Sequence, residues 1–400
     1  MDLSYGEGSE RYREQVREFI EENLDRAPRG HGVLGGRASE ELRVWQRLLI
    51  ERGYAARTIP SEYGGYGGEV DILKTIIVGE EFIHAGLLGG ISGPGVNMLV
   101  PTLLEHGAEE QKNRWIKPTI RGELVWCQGY SEPGAGSDLA SLQTYAVEDG
   151  DDFIINGQKI WTSSAHIADM MFALVRTEPG ESRHAGISYL LFPMNTPGIE
   201  VQPLRTMTGE AEFNQVFFTD VRVPQANIVG RRGEGWKIAN TTLKHERGVV
   251  GNPVAMESML RSLIELMETE ARNGLRAMDN PVFRDRLLRL QARVLSMKFH
   301  SMRVLTLDLR EQSPGMAGLV VKLQGCELMH AMATLALDVM GELGVLYDGS
   351  RYERAKGFWQ TEYMLWIGFI IGGGTAQIQK NIISERGLGM PREPKLTREA

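Results

Sequence analysis

Met170 to Phe192 reads MMFALVRTEPGESRHAGISYLLF, and this stretch decides the fold. Two runs rich in β-branched and aromatic residues, Met170 to Arg176 and Ile187 to Phe192, flank a ten-residue break that carries Pro, Gly and Ser. A parallel crossover needs roughly a dozen residues or more, usually a helix, so the two runs read as antiparallel neighbours. Comparable runs recur at Phe153 to Ile155, Ile199 to Leu204 and Val216 to Val223, each bounded by Gly, Pro, Asn or Asp. The spacing predicts a small antiparallel barrel or sandwich and disfavours a Rossmann domain.

On both sides the period changes to that of a helix. Tyr12, Val16, Phe19, Ile20 and Leu24 recur at three- and four-residue steps, as do Leu42, Trp45, Leu48 and Leu49 before Gly53, which reads as a helix C-terminal glycine. Ser61 to Gly68 is a turn-rich connector. Further helices are expected over Asp71 to His84, with Ile72/Ile76 and Leu73/Ile77 pairs, and over Val96 to His106. From about Trp236 the helical period returns. Asn280-Pro281 reads as an N-cap followed by Pro at the first helical position, and Leu287, Leu290, Val294, Met297 and Leu305 form one stripe up to Arg310. Ser313-Pro314 opens a second long helix to about Met340, and so short a break makes the two antiparallel, as in a four-helix bundle. The expected fold is α+β, mainly α: a helical N-terminal domain (1–124), a central antiparallel β-barrel-like domain (125–232) and a C-terminal helical bundle (233–400).

Composition narrows the function. The 400 residues carry 44 Lys+Arg against 52 Asp+Glu, a formal net charge of −8. A single core stops growing at roughly 250–300 residues, so two or three domains are expected. The acidic balance provides no basic face for a nucleic-acid backbone, while leaving room for a local basic pocket. Two cysteines, Cys127 and Cys326, with no CxxC spacing, fit neither a disulfide framework nor a zinc ribbon. The N-terminus lacks the basic-then-apolar pattern of a signal peptide, and the longest apolar run, Met364 to Ile371, is short of the roughly 20 residues of a membrane span. A cytoplasmic protein without nucleic-acid or membrane partners is expected. A Walker loop, a GxSxG elbow, HExxH and a strand-to-helix GxGxxG are all missing, and the eight histidines show no metal-ligand spacing.

Two stretches carry the chemistry. Trp126-Cys-Gln-Gly-Tyr-Ser-Glu-Pro-Gly-Ala-Gly-Ser-Asp138 offers Ser131, Gly134, Gly136 and Ser137: small side chains, hydroxyls and backbone open to close approach, as a loop wrapping a planar hydrogen-bonding ligand requires. Asn156-Gly-Gln-Lys-Ile-Trp-Thr-Ser163 follows at hairpin distance and sets the Trp161 indole beside the hydroxyls of Thr162 and Ser163.

With these motifs the chain resembles the acyl-CoA dehydrogenase family over essentially its whole length. Further supporting motifs are Glu105-His-Gly-Ala-Glu-Glu-Gln-Lys112, Phe217 to Pro224 (FFTDVRVP), Gly233-Glu-Gly-Trp236, Leu243-Lys-His-Glu-Arg247 and Gly374-Thr-Ala-Gln-Ile-Gln379. Tyr130 departs from the aliphatic residue usual at its position. The resemblance implies FAD as cofactor and a concerted reaction. A carboxylate takes the α-proton of an acyl-CoA thioester, the β-hydrogen leaves as hydride to flavin N5, and the product is a trans-2-enoyl-CoA. It further implies that Gln128, Tyr130, Ser131, Gly136 and Ser137 line the flavin, with Ser131 on its pyrimidine edge. Trp161 would cover the ring, Ser163 would face N5, and Thr162, Arg272, Thr375 and Gln377 would add cofactor contacts. Ser137 and Arg247 would meet the acyl-CoA.

The most familiar members of the family place the base immediately before the C-terminal Gly-Thr, where this chain has Gly373. A minority carries it within Leu-x-x-Glu-Arg on an earlier helix, and Leu243-Lys-His-Glu246-Arg247 reproduces that pattern. Ala239, Leu243 and Val250 share the face of Glu246 on the expected helix from Trp236 to Val250. An acid on an apolar face is costly unless paired or functional. Glu246 is the expected base, against a structural ion pair with Arg247 or Lys244, and the Gly373 N–H remains able to bond the thioester oxygen.

Members usually bind FAD across a subunit interface through Arg-x-x-Phe-Gly and Gln-x-x-Gly-Gly segments. Here these read Arg272-Asn-Gly-Leu-Arg276 and Asp338-Val-Met-Gly-Glu342, both degenerate. The pattern is most similar to bacterial acyl-CoA dehydrogenases of steroid side-chain and dicarboxylic acyl-CoA catabolism, several of which are α2β2 heterotetramers. A homo-oligomer, dimer or tetramer, and an α2β2 assembly both stay open, and an electron-transfer flavoprotein is the implied acceptor. A flavin oxidase or monooxygenase and a non-catalytic partner subunit are the competing functions on this scaffold.

Overall fold

A computed structural model describes residues 5–28, 36–178, 180–181, 183–247, 253–272, 274–310, 312–313, 315–347 and 349–392. The chain divides into two units, one spanning 5–246 and the other running from 247 onward.

The first unit opens with α1 (Glu7–Glu22), α2 (Glu40–Glu51) and α3 (Ile72–His84). The Ser39 side chain accepts from the Leu42 N–H and that of Asp71 from the Lys74 N–H, so α2 and α3 begin on the N-cap residues that such starts favour. Gly53 (φ 73°) ends α2, its N–H bonding the Ile50 carbonyl while Tyr54 N–H bonds that of Leu49. The apolar stripes of the three helices meet in one core of Val16, Phe19, Trp45, Leu49, Ile77 and Phe82. A π-turn at Gly95–Leu99 runs into α4 (Val100–His106), followed by α5 (Glu109–Ile120).

The sheet comprises β1 (Trp126–Gly129), β2 (Tyr145–Asp149), β3 (Asp152–Ser163), β4 (Met170–Arg176), β5 (Ile187–Pro193), β6 (Ile199–Leu204) and β7 (Phe213–Pro224), in the order β1-β4-β2-β3-β7-β6, with β5 on β4. β4 and β5 pair antiparallel from Met170↔Pro193 to Arg176↔Ile187, as the opening stretch predicts. Their unbroken apolar character comes from coverage on both faces. Phe172, Leu174, Tyr189 and Leu191 join Leu103, Trp115 and Ile116 of the helices, while Met171, Ala173, Val175 and Phe192 join Phe153 and Val216 on the other side.

The sheet differs from the expectation in two respects. β1 pairs β4 in parallel, from Trp126↔Met170 to Gly129↔Ala173. The β2–β3 hairpin makes the crossover, so no helix is needed. β3 also runs far beyond Ile155, to Ser163, with register shifts between Ile155 and Gly157 and between Lys159 and Thr162. Those irregularities break the alternation by which a strand is read from sequence. α6 (Gly235–Arg247) completes the unit by packing Ile238 and Ala239 into the core that holds Trp115 and Tyr189.

The second unit contains α7 (Pro253–Thr269), α8 (Pro281–Leu309), α9 (Ala317–Met340), α10 (Phe358–Ile371) and α11 (Ala376–Ile382). Asn280 caps α8 by accepting from the Val282 and Phe283 N–H groups, with Pro281 at the first helical position as expected. Pro314 lies outside the described residues. α8 and α9 are antiparallel: Arg286 pairs with Asp338 (2.6 Å), and His300 meets the Ala317 carbonyl (2.9 Å) near the other end. Their core gathers Met256, Leu263, Leu290, Val294, Leu328, Met332, Leu335 and Trp359. By length and composition alone the stretch Ala317–Val345 could cross a membrane, which counting uninterrupted apolar runs did not register. Half of it is buried inside the structure, the pattern of a bundle's central helix.

Candidate active site

The Ser131–Asp138 loop and the end of β3 are locked together. Glu132 and Ala135 exchange backbone hydrogen bonds (3.1 and 3.0 Å), closing a tight turn over Pro133 and Gly134. The Ile160 N–H donates to the Ser131 carbonyl at 2.9 Å. Beneath the loop, Lys159 Nζ donates to Glu132 Oε1 (2.8 Å) and to the Tyr130 carbonyl (3.2 Å), with Lys159 fully buried and Glu132 nearly so. The Glu132 carboxylate also accepts from the backbone N–H groups of Gln143 (2.6 Å) and Thr144 (2.9 Å). Burial pushes the Glu132 carboxyl up, yet the ammonium and amide donors outweigh it and hold it below the usual carboxylate range. Burial brings the Lys159 ammonium down to about 8, with Glu132 opposing the fall.

The loop above this pair is bare. Gly134 and Gly136 are exposed, and a Cβ at either would meet nothing within 4 Å, so packing inside the chain does not demand glycine there. Ser137 is exposed, and Ser131 and Gln128 are half-buried. Tyr130, one of the expected cofactor contacts, turns its side chain away from the loop surface. Its ring is buried edge-on against Phe172 (6.0 Å) and Tyr189 (6.2 Å), because β1 directs it into the core shared with the helices.

Trp161 sits in the left-handed region (φ 58°) at the Lys159/Thr162 register shift, with 60% of its surface exposed. A β-bulge turns a side chain out of its regular alternation, and a bulky residue at positive φ is strained. The ring makes an edge contact with Phe213 (6.0 Å). Thr162 is fully buried and its Oγ1 has no hydrogen-bond partner among the described residues, while Asn214 Nδ2 holds its carbonyl at 3.0 Å. Ser163 is half-buried, opposite Phe213. An exposed aromatic face, an unmet hydroxyl beside it and a bare glycine loop together suit a planar ring with hydrogen-bonding edges.

α6, which carries Glu246, is pinned to α4 by side-chain bonds. Thr242 Oγ1 meets Thr102 Oγ1 at 2.9 Å, both fully buried, and His106 Nε2 meets Thr241 Oγ1 at 2.8 Å. Glu246 and Arg247 form the end of this helix, with their side chains outside the described residues, as is Val250. Beside them, burial and the neighbouring Lys244 depress the His245 imidazole.

In the second unit, Gly373 (φ 64°) and Gly374 (φ 95°) form a left-handed turn between α10 and α11. Thr375 is the N-cap of α11, its Oγ1 accepting from the Ile378 N–H (3.1 Å). Gln377 is exposed, whereas Gln379 turns in and donates to the Gly374 carbonyl (3.2 Å). Arg272 lies on β8 (Ala271–Arg272), paired with β9 (Leu275–Arg276), with its side chain outside the described residues. Asp338, at the place of the family's Gln, is taken up by Arg286 of its own bundle.

Models of the acyl-CoA dehydrogenase N-terminal, middle and C-terminal domains match residues 6–123, 127–221 and 233–388. The chain belongs to the acyl-CoA dehydrogenase family. It is an oxidoreductase with that family's helix–sheet–helix fold, and members of the family are flavoproteins. Among curated relatives, acyl-CoA dehydrogenase IpdE1 of Mycobacterium tuberculosis is 39% identical, covering 96% of this chain and 99% of its own. Among solved structures, the Tcur3481-Tcur3483 steroid ACAD aligns with a TM-score of 0.82 at 30% identity, over 98% of this chain and 100% of that one. The ChsE4-ChsE5 complex from Mycobacterium tuberculosis aligns with a TM-score of 0.80 at 31% identity, over 98% and 100%.

For this acyl-CoA dehydrogenase the sequence motifs contained the Glu132–Lys159 pair without giving it a role. A Glu and a Lys, one inside each ligand-loop motif, are the signal that points to it. The Thr102–Thr242 contact left no such signal, since both threonines read as ordinary helix residues.

Proposed function

We propose that this acyl-CoA dehydrogenase uses FAD, with Glu246 as the base, to convert a steroid-derived acyl-CoA thioester into its trans-2-enoyl-CoA. One observation supports the cofactor reading most: the Ser131–Asp138 loop is bonded to β3 where Trp161 is exposed and Thr162 Oγ1 is unmet. Gln128, Ser131, Gly136, Ser137, Trp161, Thr162 and Ser163 would hold the ring system, with Arg272, Thr375 and Gln377 as further contacts. When bound, FAD supplies the acceptor for the β-hydride.

The residues of the chain do the rest. Glu246 accepts the α-proton, a step worth roughly 10²–10⁴ in rate when the base is well positioned. The Gly373 N–H polarises the thioester carbonyl and so acidifies that proton. Ser137 and Arg247 orient the CoA portion. The steroid class is supported by the likeness to the steroid ACAD, and an α2β2 assembly with a second dehydrogenase-like chain by the ChsE4-ChsE5 likeness and the degenerate Arg272 and Asp338 segments. An electron-transfer flavoprotein would reoxidise the enzyme.

The test is anaerobic mixing of the yellow protein with octanoyl-CoA, isobutyryl-CoA and cholanoyl-CoA. Bleaching of the flavin band by cholanoyl-CoA first among the three is expected. A colourless preparation that takes up no FAD, or a flavin that none of the three bleaches, contradicts the reading.

A further inference from the structure

Lys322 of α9 is 3% exposed in the core of the helical bundle. Its ammonium donates to the Gly374 carbonyl at 2.8 Å and to the Ile370 carbonyl at 3.4 Å. These two carbonyls bracket Gly372-Gly373-Gly374, and Gln379 Nε2 adds a second donor to the Gly374 carbonyl. Taking an ammonium out of water costs several kcal/mol, and an apolar residue of similar volume often serves a core as well or better. The turn has no side chain of its own. Gly373 and Gly374 both lie at positive φ, which glycine reaches without strain, and glycine loses more conformational freedom on ordering than any other residue.

We propose that Lys322 is a positioning residue for the reaction: by clamping the carbonyls at both ends of the triple-glycine turn, it fixes the direction of the Gly373 N–H that bonds the thioester oxygen. The proposal rests on the assignment of Gly373 to the thioester. Position 373 is bare, so order in the turn has to come from below. A purely structural alternative exists, since an ammonium near the C-terminal end of α10 satisfies an orphan carbonyl and opposes the helix dipole. The two roles differ in what they do to the bound thioester.

The experiment uses the flavin-loaded enzyme, with any partner chain that co-purifies. The probe is the 2-enoyl product of cholanoyl-CoA, labelled with carbon-13 at the thioester carbon, which binds the oxidised enzyme without turning over. Infrared difference spectra report the carbonyl stretch, which falls in frequency as hydrogen bonding polarises the bond. The wild type should show a clear red shift. Lys322→Met should lose most of it, with kcat down by up to about 10²-fold, as a misdirected catalytic group can cause, and KM little changed. Lys322→Arg, which can still donate to both carbonyls, should recover part of the shift. A folded Lys322→Met enzyme with the full shift and wild-type kcat overturns the proposal. Should Lys322→Met not fold, Lys322→Gln carries the test: an intermediate shift supports the clamp and a full shift overturns it. A wild-type enzyme that binds the probe with no shift at all removes the Gly373 assignment instead, and the clamp with it.

Discussion

Lys159 Nζ lies 2.8 Å from Glu132 Oε1, with Lys159 fully buried and Glu132 nearly so, and this ion pair joins the glycine loop to the strand that presents Trp161. Removing one partner of a buried pair leaves an uncompensated charge and costs about 3–5 kcal/mol. Lys159→Met should therefore lower the stability of the apoprotein by that order in denaturant titration and reduce bound FAD. The double variant Glu132→Gln, Lys159→Met should recover part of the stability. A single variant with wild-type stability and flavin content would contradict the linkage.

The same pair gives the protein an acid limit. The carboxyl of Glu132 is held below its ordinary value in the folded state. Its contribution to stability is then fully present above the unfolded pKa of roughly 4.3 and is lost as pH falls through the lowered folded value. The stability gap between wild type and Glu132→Gln should be constant from about pH 6 to 5 and shrink below about 4. Thermal melts across that range measure it, and a gap that widens with acid has the wrong sign.

Trp161 should show opposed effects on stability and cofactor binding. Its left-handed backbone carries strain of about 1–3 kcal/mol for a residue other than glycine, and its side chain makes little packing contact in return. Trp161→Gly should leave the apoprotein as stable as wild type or up to about 1 kcal/mol more so, while FAD retention on gel filtration falls. Loss of stability together with unchanged flavin retention would mean that Trp161 serves the fold.

Asp338 bears on the proposed α2β2 assembly. Where the family has a Gln for the neighbour's flavin, this chain has a carboxylate already engaged by Arg286 at 2.6 Å. Purified alone, the chain should hold less than one FAD per protomer, and co-expression with a second dehydrogenase-like chain should raise occupancy. Full occupancy in a homo-oligomer would remove the need for a partner.

The legible parts of the sequence were those in which one physical signal acts without competition. The ten residues between Arg176 and Ile187 left no room for a helix, so the β4–β5 hairpin could be read from length. Asn280-Pro281 announced α8 because cap and first-turn preferences coincide there. What stayed hidden depended on long-range context. β1 takes its parallel partner from a strand more than forty residues away, and the alternation of β3 is broken by the shifts that expose Trp161. Tyr130 sits inside a loop motif yet belongs to the core, because the strand pairing of β1 decides which way its ring turns. The expectation for Glu246 rests on a local pattern and the bare position at Gly373 alone.

Glu246 is therefore the residue on which the account turns, and the most direct measurement is stopped-flow reduction of the flavin in Glu246→Gln by cholanoyl-CoA under anaerobic conditions. The substitution keeps the shape and removes the base. The account predicts a protein with wild-type flavin content whose bleaching rate falls by roughly 10²–10⁴. Reduction at the wild-type rate would contradict it.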